Sequence, residues 1–423
     1  MQQMTAVIIG AGDRGFRAYA PYALENPHEL KIVAVAEPHV ERRNKFRDAF
    51  ELLEEDCFES WEEMYEQGQI ADVAMICTLD NQHFQPTIKA LELGYHVLLE
   101  KPMSPDPKEC IEMERIAKKY NRQLSICHVL RYTDFWSTIR KVVQDGTIGD
   151  VASIQLNENV EIMHMSHSFV RGNWNNKKNS SPMILQKSCH DMDIINFVMG
   201  KECKRVSSYG SLMHFKEENA PIGAPKRCLD GCPVELECPF HAGRYYLGEG
   251  KGWASKFTED TSNDGIIKAL HETDYGKCVY QSDNDVVDHQ VVNMEFEDGA
   301  TATFSMCGFT RDQTRVVQIM GTKGEIRGNM EENSISIFDF LTKQETVIKL
   351  SNPVGGHGGG DQGIVRTFLH EIKNQDKMEG VSSVSVSLKS HLMAFAAEES
   401  RLNKGQSIDL DDYYNRFKVQ SQE

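Results

Sequence analysis

Residues 5–15 read TAVIIGAGDRG, an apolar β-branched run that breaks into Gly10-Ala11-Gly12-Asp13-Arg14-Gly15. Glycine triplets at this spacing also occur by chance in loops. Here the triplet follows a strand-like run and opens a helix-like stretch over residues 14–25. In that setting the first glycine permits a tight turn and the second lets backbone approach an anion. The third allows close helix–strand contact, while N–H groups at the helix start face the negative charge. Glu37 closes the next apolar run, residues 30–36 (LKIVAVA), 37 − 15 = 22 positions after Gly15. A carboxylate there accepts hydrogen bonds from an adenosine ribose and repels a 2′-phosphate. The pattern predicts a dinucleotide site at Gly10, Gly12, Asp13, Arg14, Gly15 and Glu37. NAD is favoured, and Arg42 and Arg43 just downstream keep NADP open.

Outward from this segment, strand and helix signals alternate. Apolar runs at 72–79, 96–100 and 123–128 are separated by helical patterns at 40–52, 84–93, 106–120 and 133–144. Near-continuous apolar strands spaced by helices imply βαβ units and a parallel sheet. The chain is therefore read as α/β over residues 1–127, a doubly wound Rossmann domain. Ligands bind at the carboxyl ends of such strands, which adds Thr78, Asn81, His83 and Glu100 to the expected cofactor set. From residue 151 the pattern changes to consecutive β-branched and aromatic runs at 151–163, 206–215, 279–309, 315–327 and 334–350. One helix interrupts them at 183–199, and others follow at 364–373 and 388–403. This predicts an α+β second domain over 128–423 on a mostly antiparallel sheet, with an irregular Cys-rich insertion at about 219–256.

The 423 residues carry 46 Lys and Arg against 63 Asp and Glu, a formal charge of −17. That balance argues against a nucleic-acid or anionic-membrane binder, which needs a clustered basic surface. The longest apolar runs are strand-sized, well short of a membrane span. With a strand-like run beginning at residue 5, a soluble cytoplasmic protein is expected.

Chemistry-bearing residues fall in two places. Lys101, in Glu100-Lys101-Pro102, ends a strand at the ligand edge of the sheet. It reads either as a donor to a substrate hydroxyl or nicotinamide carboxamide, or as a solvated loop lysine. On the expected 183–199 helix, Gln186, His190 and Asp193 share one face by spacing. His190 reads either as a general base for a hydroxyl proton or as an interfacial histidine held by Asp193.

Taken together, the glycine loop, the acidic strand end, Glu100-Lys101-Pro102 and the His190-x-x-Asp193 helix resemble the glucose-fructose oxidoreductase / inositol dehydrogenase (Gfo/Idh/MocA) family. Arg131-Tyr132 followed by Gly146-Thr147-Ile148-Gly149 matches its domain junction. The resemblance implies that Lys101 and His190 sit beside the nicotinamide and the reacting alcohol carbon, with Asp193 contacting substrate. One departure stands out. Many relatives carry Asp four residues before the histidine, where this chain has Gln186, followed by Lys187. Gln186 and Lys187 are therefore read as substrate contacts.

On the substrate side, His164, His167, Arg171, Asn173 and Trp174 combine an apolar ring with directional polar groups, as sugar recognition requires. His289, and His357 with Asp361 around the glycine stretch 355–360, are further candidates. The implied activity is NAD-dependent hydride transfer at a hydroxyl-bearing carbon of a sugar, polyol or glycoside. Two alternatives stay open: redox-neutral glycoside cleavage through a keto-sugar, and a non-enzymatic dinucleotide or sugar sensor. A homodimer or homotetramer is expected, as relatives are often oligomeric.

Eleven cysteines are present. Most lack ligand spacing and read as small buried hydrophobes. Cys228-x3-Cys232-x5-Cys238 is denser, and three thiolates need a fourth ligand for a closed tetrahedral site. Cys278 is the preferred fourth, ahead of His241 and Cys203. The reading is a structural zinc or an iron–sulfur cluster stapling the insertion, against a set of unliganded thiols.

Overall fold

The computed structural model describes residues 3–351, 356–374 and 380–420; Gly355 lies outside them. The first sheet has six parallel strands: β1 Met4–Ile9, β2 Leu30–Ala36, β3 Cys57–Phe58, β4 Val73–Ile76, β5 His96–Leu99 and β6 Leu124–Ile126. Their order is β3-β2-β1-β4-β5-β6. All four residues of β4 are buried, as they must be in a strand covered by helices on both faces. The direction of strand addition reverses between β1 and β4, and loop 10–15 lies at the carboxyl end of β1, where such folds bind ligands. Asp106 and Thr133 cap the helices Pro107–Tyr120 and Asp134–Gln144, accepting from the Lys108 and Trp136 N–H groups. β3 is absent from the sequence reading because two residues carry no periodicity.

The helix expected over 14–25 is two pieces. Asp13–Tyr19 winds in wide π-type turns, the Ala20 N–H donating to the Gly15 carbonyl at 3.1 Å. Pro21 then opens Pro21–Glu25, since proline suits a first helical turn and not an interior.

The second sheet has nine strands: β7 Val151–Glu161, β8 Cys203–Ser211, β9 His289–Phe296, β10 Thr301–Thr310, β11 Thr314–Gly321, β12 Gly324–Asn329, β13 Ser334–Asp339, β14 Glu345–Lys349 and β15 Ile408–Asp409. The order is β14-β13-β12-β11-β7-β10-β9-β8-β15. Every neighbouring pair is antiparallel except β7 and β10. Buried and exposed residues largely alternate along β9, which fits a sheet with one packed face.

Two features correct the sequence reading. The insertion is not merely irregular: it contains the helix Ala242–Tyr246 and, with the helix Asn263–Glu272 that follows it, forms a small core of Ala242, Tyr246, Ala254, Ile266 and Leu270. These helices are too short for the periodicity to show through the surrounding glycines. The second concerns the carboxyl-terminal part. The helix Gly360–Asn374 returns to the first sheet, burying Ile364, Val365, Phe368 and Leu369 against a core that includes Ile8, Val35 and Leu98. The helix Val384–Leu402 packs against β8, Pro107–Tyr120 and the helix Cys189–Met199. Among the described residues no helix is long and apolar enough to cross a membrane.

Candidate active site

The glycine loop has the geometry a pyrophosphate needs. Gly10 has φ +89°, and a Cβ there would meet the Cys77 carbonyl at 2.8 Å and the Thr78 nitrogen at 3.2 Å. A Cβ on Gly15 would lie 2.1 Å from the Gly10 carbonyl oxygen. These two glycines are required by the turn and by backbone crowding. In front of Gly12 there is open space, with nothing within 4 Å of a built Cβ. Glu37, buried at the end of β2, accepts from the Ala11 N–H at 2.8 Å and the His39 N–H at 3.0 Å. The residues present thus fit a dinucleotide. Loop 10–15 would hold the diphosphate and Glu37 the ribose.

Other members of the expected cofactor set brace this loop. Arg14 donates to Glu100 at 2.5 Å and to Asp361 at 2.8 Å, and bonds Tyr19. Asp361 is held well below the usual carboxylate range: burial pushes it up, but His357 and Arg14 outweigh that. Asp13 pairs with Lys256 of the insertion at 2.8 Å. Arg43 donates to the Glu37 carbonyl and to Glu59, while Arg42 and Asn81 are exposed. Thr78 follows β4 beside Gly10, and its carbonyl lies 3.1 Å from His83 Nε2, whose Nδ1 faces the Pro102 carbonyl at 2.7 Å.

Lys101 and His190 are brought together, and the local cause is a broken helix. The sequence predicts one helix over 183–199; the structure has Met183–Gln186 and Cys189–Met199, interrupted at Lys187 and Ser188. The break leaves the Gln186 carbonyl free, and Lys101 Nζ donates to it at 2.6 Å. Gln186 and His190 therefore do not share a continuous helical face. The Gln186 side chain bonds the Trp174 carbonyl and Ser180 instead. His190 is buried, and its Nδ1 has no hydrogen-bond partner among the described residues. Burial, then the nearby Lys101 charge, hold its pKa well below 6.5. Both causes disfavour the charged ring, so His190 is held neutral, with Nδ1 open to a hydrogen bond from a ligand.

Asp193 is placed differently from expectation. It is 1% exposed and forms a bidentate pair with Arg131 at 2.6 and 2.7 Å, with Ser390 also donating to it. Both oxygens of Asp193 are thus engaged within a buried ion pair. Lys187 pairs with buried Glu158 at 2.9 Å, and Arg315 joins Glu158 to Asp191 at 2.9 and 2.7 Å.

A cleft of about 300 Å³ lies among Arg315, Gln313, Glu331, Asn333 and His357. The His357 ring at its edge lies 6.3 Å from the ring of His190, which brings the cleft close to that histidine. His164 is held well below the ordinary histidine value by burial and then by the Lys187 charge. His167 is enclosed by Tyr246, Trp253 and Tyr275, its Nδ1 2.6 Å from the Tyr246 hydroxyl. Arg171 bonds the Lys277 and Phe240 carbonyls and Cys228 Sγ, which places it in the insertion's cysteine cluster and not at the cleft. His289 starts β9 and bonds Asp288 at 2.8 Å.

Sequence spacing misses Glu158, Arg315 and His128. His128 is fully buried 3.7 Å from Asp193, its ring 5.8 Å from that of His190. Each is at least 29 positions from its partners along the chain, so only the fold joins them.

Residues 4–128 match the oxidoreductase family model for the GFO/IDH/MocA NAD-binding Rossmann fold, and residues 136–327 match the family's C-terminal domain. The chain belongs to the GFO/IDH/MocA oxidoreductase family. This oxidoreductase is 24% identical over 305 residues to a Bacillus subtilis protein named as an oxidoreductase, YteT, covering 69% of this chain and 70% of that one. It is 23% identical over 143 residues to the 2,7-anhydro-N-acetylneuraminate hydratase of Escherichia coli, covering 34% and 37%. The fold aligns with a levoglucosan dehydrogenase solved with NADH and L-sorbose, at a TM-score of 0.72 and 18% identity, over 97% of this chain and 99% of that one.

The four insertion cysteines also come together. Cys228, Cys232, Cys238 and Cys278 line one small cavity. Among the described residues no three His, Cys, Asp or Glu side chains are already drawn into a metal-holding arrangement. His241 is not free to be the fourth ligand, since its ring nitrogens meet the Cys228 carbonyl and the Arg244 N–H. Cys203 lies on β8, bonded to the Arg205 carbonyl.

Proposed function

We propose that this oxidoreductase transfers hydride between NAD and a hydroxyl-bearing carbon of a sugar, polyol or glycoside bound in the cleft beside His190 and His357. The observation that carries this reading is the pairing of Lys101, anchored on the Gln186 carbonyl, with the buried, unpartnered Nδ1 of His190. Bound nicotinamide supplies the hydride acceptor. Lys101 orients the reacting hydroxyl and holds positive charge beside the oxygen as it loses its proton. His190, neutral because burial disfavours its charged form, accepts a hydrogen bond from that hydroxyl and takes its proton as the hydride leaves. Arg315, Gln313 and Asn333 at the cleft supply directional contacts to further hydroxyls. Glu37, a carboxylate at the end of β2 where a 2′-phosphate would be repelled, supports NAD over NADP.

The test is incubation of the purified protein with NAD and a panel of glycosides and polyols, following reduced nicotinamide and released aglycone together. Net reduced nicotinamide with a keto product supports the proposal. Aglycone release without net reduction replaces it with redox-neutral cleavage, for which the hydratase among the relatives is a precedent. Ligand binding with neither product, unaltered in Lys101→Ala, replaces it with a sensor.

A further inference from the structure

We infer that Cys228, Cys232, Cys238 and Cys278 hold one zinc ion as a tetrathiolate staple of the insertion. Backbone pairing brings the outer two ligands together. The Cys228 N–H donates to the Gly276 carbonyl and the Cys278 N–H to the Lys226 carbonyl, each at 2.9 Å, flanking an antiparallel bridge between Arg227 and Lys277. In that register Cys228 and Cys278 are diagonal neighbours on the same face of the two-stranded segment, a separation that side chains bridge readily. A compact turn supplies the other two. Glu235 N–H donates to the Cys232 carbonyl at 3.3 Å and Cys238 N–H to the Val234 carbonyl at 2.8 Å. The turn thereby folds Cys232 and Cys238 toward the same cavity.

Arg171 is the independent sign that negative charge belongs in this cavity. It is 2% exposed and lines the cavity with the four thiols. Its contacts are two carbonyls and Cys228 Sγ at 3.7 Å, and its Nη1 has no hydrogen-bond partner among the described residues. Among those residues it has no carboxylate within ion-pair distance. A buried guanidinium without an anion is strongly unfavourable. Four neutral thiols do not answer it. Zinc binding does: Zn²⁺ plus four Cys–SH gives Zn(S–Cys)₄ with charge 2− and four released protons. One of the two negative charges then faces Arg171.

The size of the cavity limits the site to a single ion. Its volume is about 10 Å³, room for one water-sized body. A tetrathiolate zinc needs sulfur–metal distances of about 2.3 Å, which the thiols would reach by turning about their single side-chain bonds. Four irons and four sulfides need far more space. With four protein ligands the ion has no open position, so the centre is structural. It lies next to the segment whose Tyr246 and Trp253 enclose His167, and so fixes that aromatic wall.

The experiment uses full-length protein purified without chelator from cells supplied with both zinc and iron, with metal and acid-labile sulfide counted per chain. One zinc and no sulfide is expected. Cys232→Ser and Cys278→Ser each lose the zinc and expose residues 219–262 to limited proteolysis, while Cys203→Ser keeps it. Should the variants fail to fold, wild-type protein produced in zinc-depleted, cobalt-supplemented medium provides the reading. Intense sulfur-to-cobalt charge transfer with tetrahedral visible bands is expected. Zinc-free protein, iron with sulfide, a disulfide among these cysteines, full zinc retention in both variants, or a cobalt spectrum lacking thiolate bands would each overturn the inference.

Discussion

His190 sits in a buried pocket with an ammonium beside it, and that environment sets its titration. Burial and then Lys101 favour the neutral ring, so the base stays competent as pH falls past the ordinary histidine value. The acidic limb of kcat/KM is therefore expected below pH 6.5, measured as a pH profile with saturating NAD. Lys101→Met removes the second cause and shifts the limb upward. The same change is expected to lower kcat by about 10²–10⁴-fold, the usual contribution of a positioned proton-transfer group. If Lys101 were a solvated lysine, neither the limb nor kcat would move. Asp193 yields the opposite kind of prediction. Its partner is Arg131, in a pair nearly closed to solvent, and Asp193→Ala leaves that guanidinium buried alone. A stability loss of about 3–5 kcal/mol is expected in urea unfolding, with KM for substrate little changed.

At the scale of elements, the break between Met183–Gln186 and Cys189–Met199 is what joins the two domains chemically. Without it the Gln186 carbonyl would be bonded within its own helix, and Lys101 would lack its anchor. The sequence gives little warning, because Gln186, Lys187 and Ser188 carry no proline or glycine to mark a stop. The spacing of Gln186, His190 and Asp193 then reads as one face when it is not. By contrast, β1 and the glycine loop were legible almost residue by residue, though not the split of the following helix at Ala20 and Pro21. Glycine roles follow from backbone crowding, and crowding is local. Lys101 and His190 were legible as candidates from the strand end and from the resemblance. Glu158, Arg315 and His128 were not, since their significance comes only from β7, β11 and the segment after β6 converging on one helix. The same reasoning explains Arg171. Its residue type suits sugar recognition, but the insertion folds back over it.

Across the whole molecule, three histidines are buried in the neutral form around Asp193. Burial, first among the causes, lowers His128 to about 3 and His391 to about 4, and lowers His190 as well. The unfolded chain takes up protons near pH 6.5 while the folded one does not, so stability present above that value is lost as pH falls toward 4 and then 3. Each such histidine contributes a slope of about 1.4 kcal/mol per pH unit within its window. His391 accepts from the Met103 N–H at 2.9 Å, and glutamine preserves an acceptor there. His391→Gln is expected to reduce the slope of urea stability against pH by about one proton between pH 6.5 and 4.

The carboxyl-terminal return to the first sheet makes a further prediction at this scale. Phe368 is 1% exposed among Rossmann side chains, and Phe368→Ala is expected to cost about 3–5 kcal/mol. Weaker NAD binding, read by titration calorimetry, is expected with it, because the same helix carries Asp361 to Arg14. That contact also sets an order on synthesis. Asp361 lies 361 − 15 = 346 positions after Gly15, so the carboxylate that fixes Arg14 is made long after the glycines. A product cut short before the returning helix keeps the glycines, lacks that carboxylate, and is expected to hold the dinucleotide more weakly.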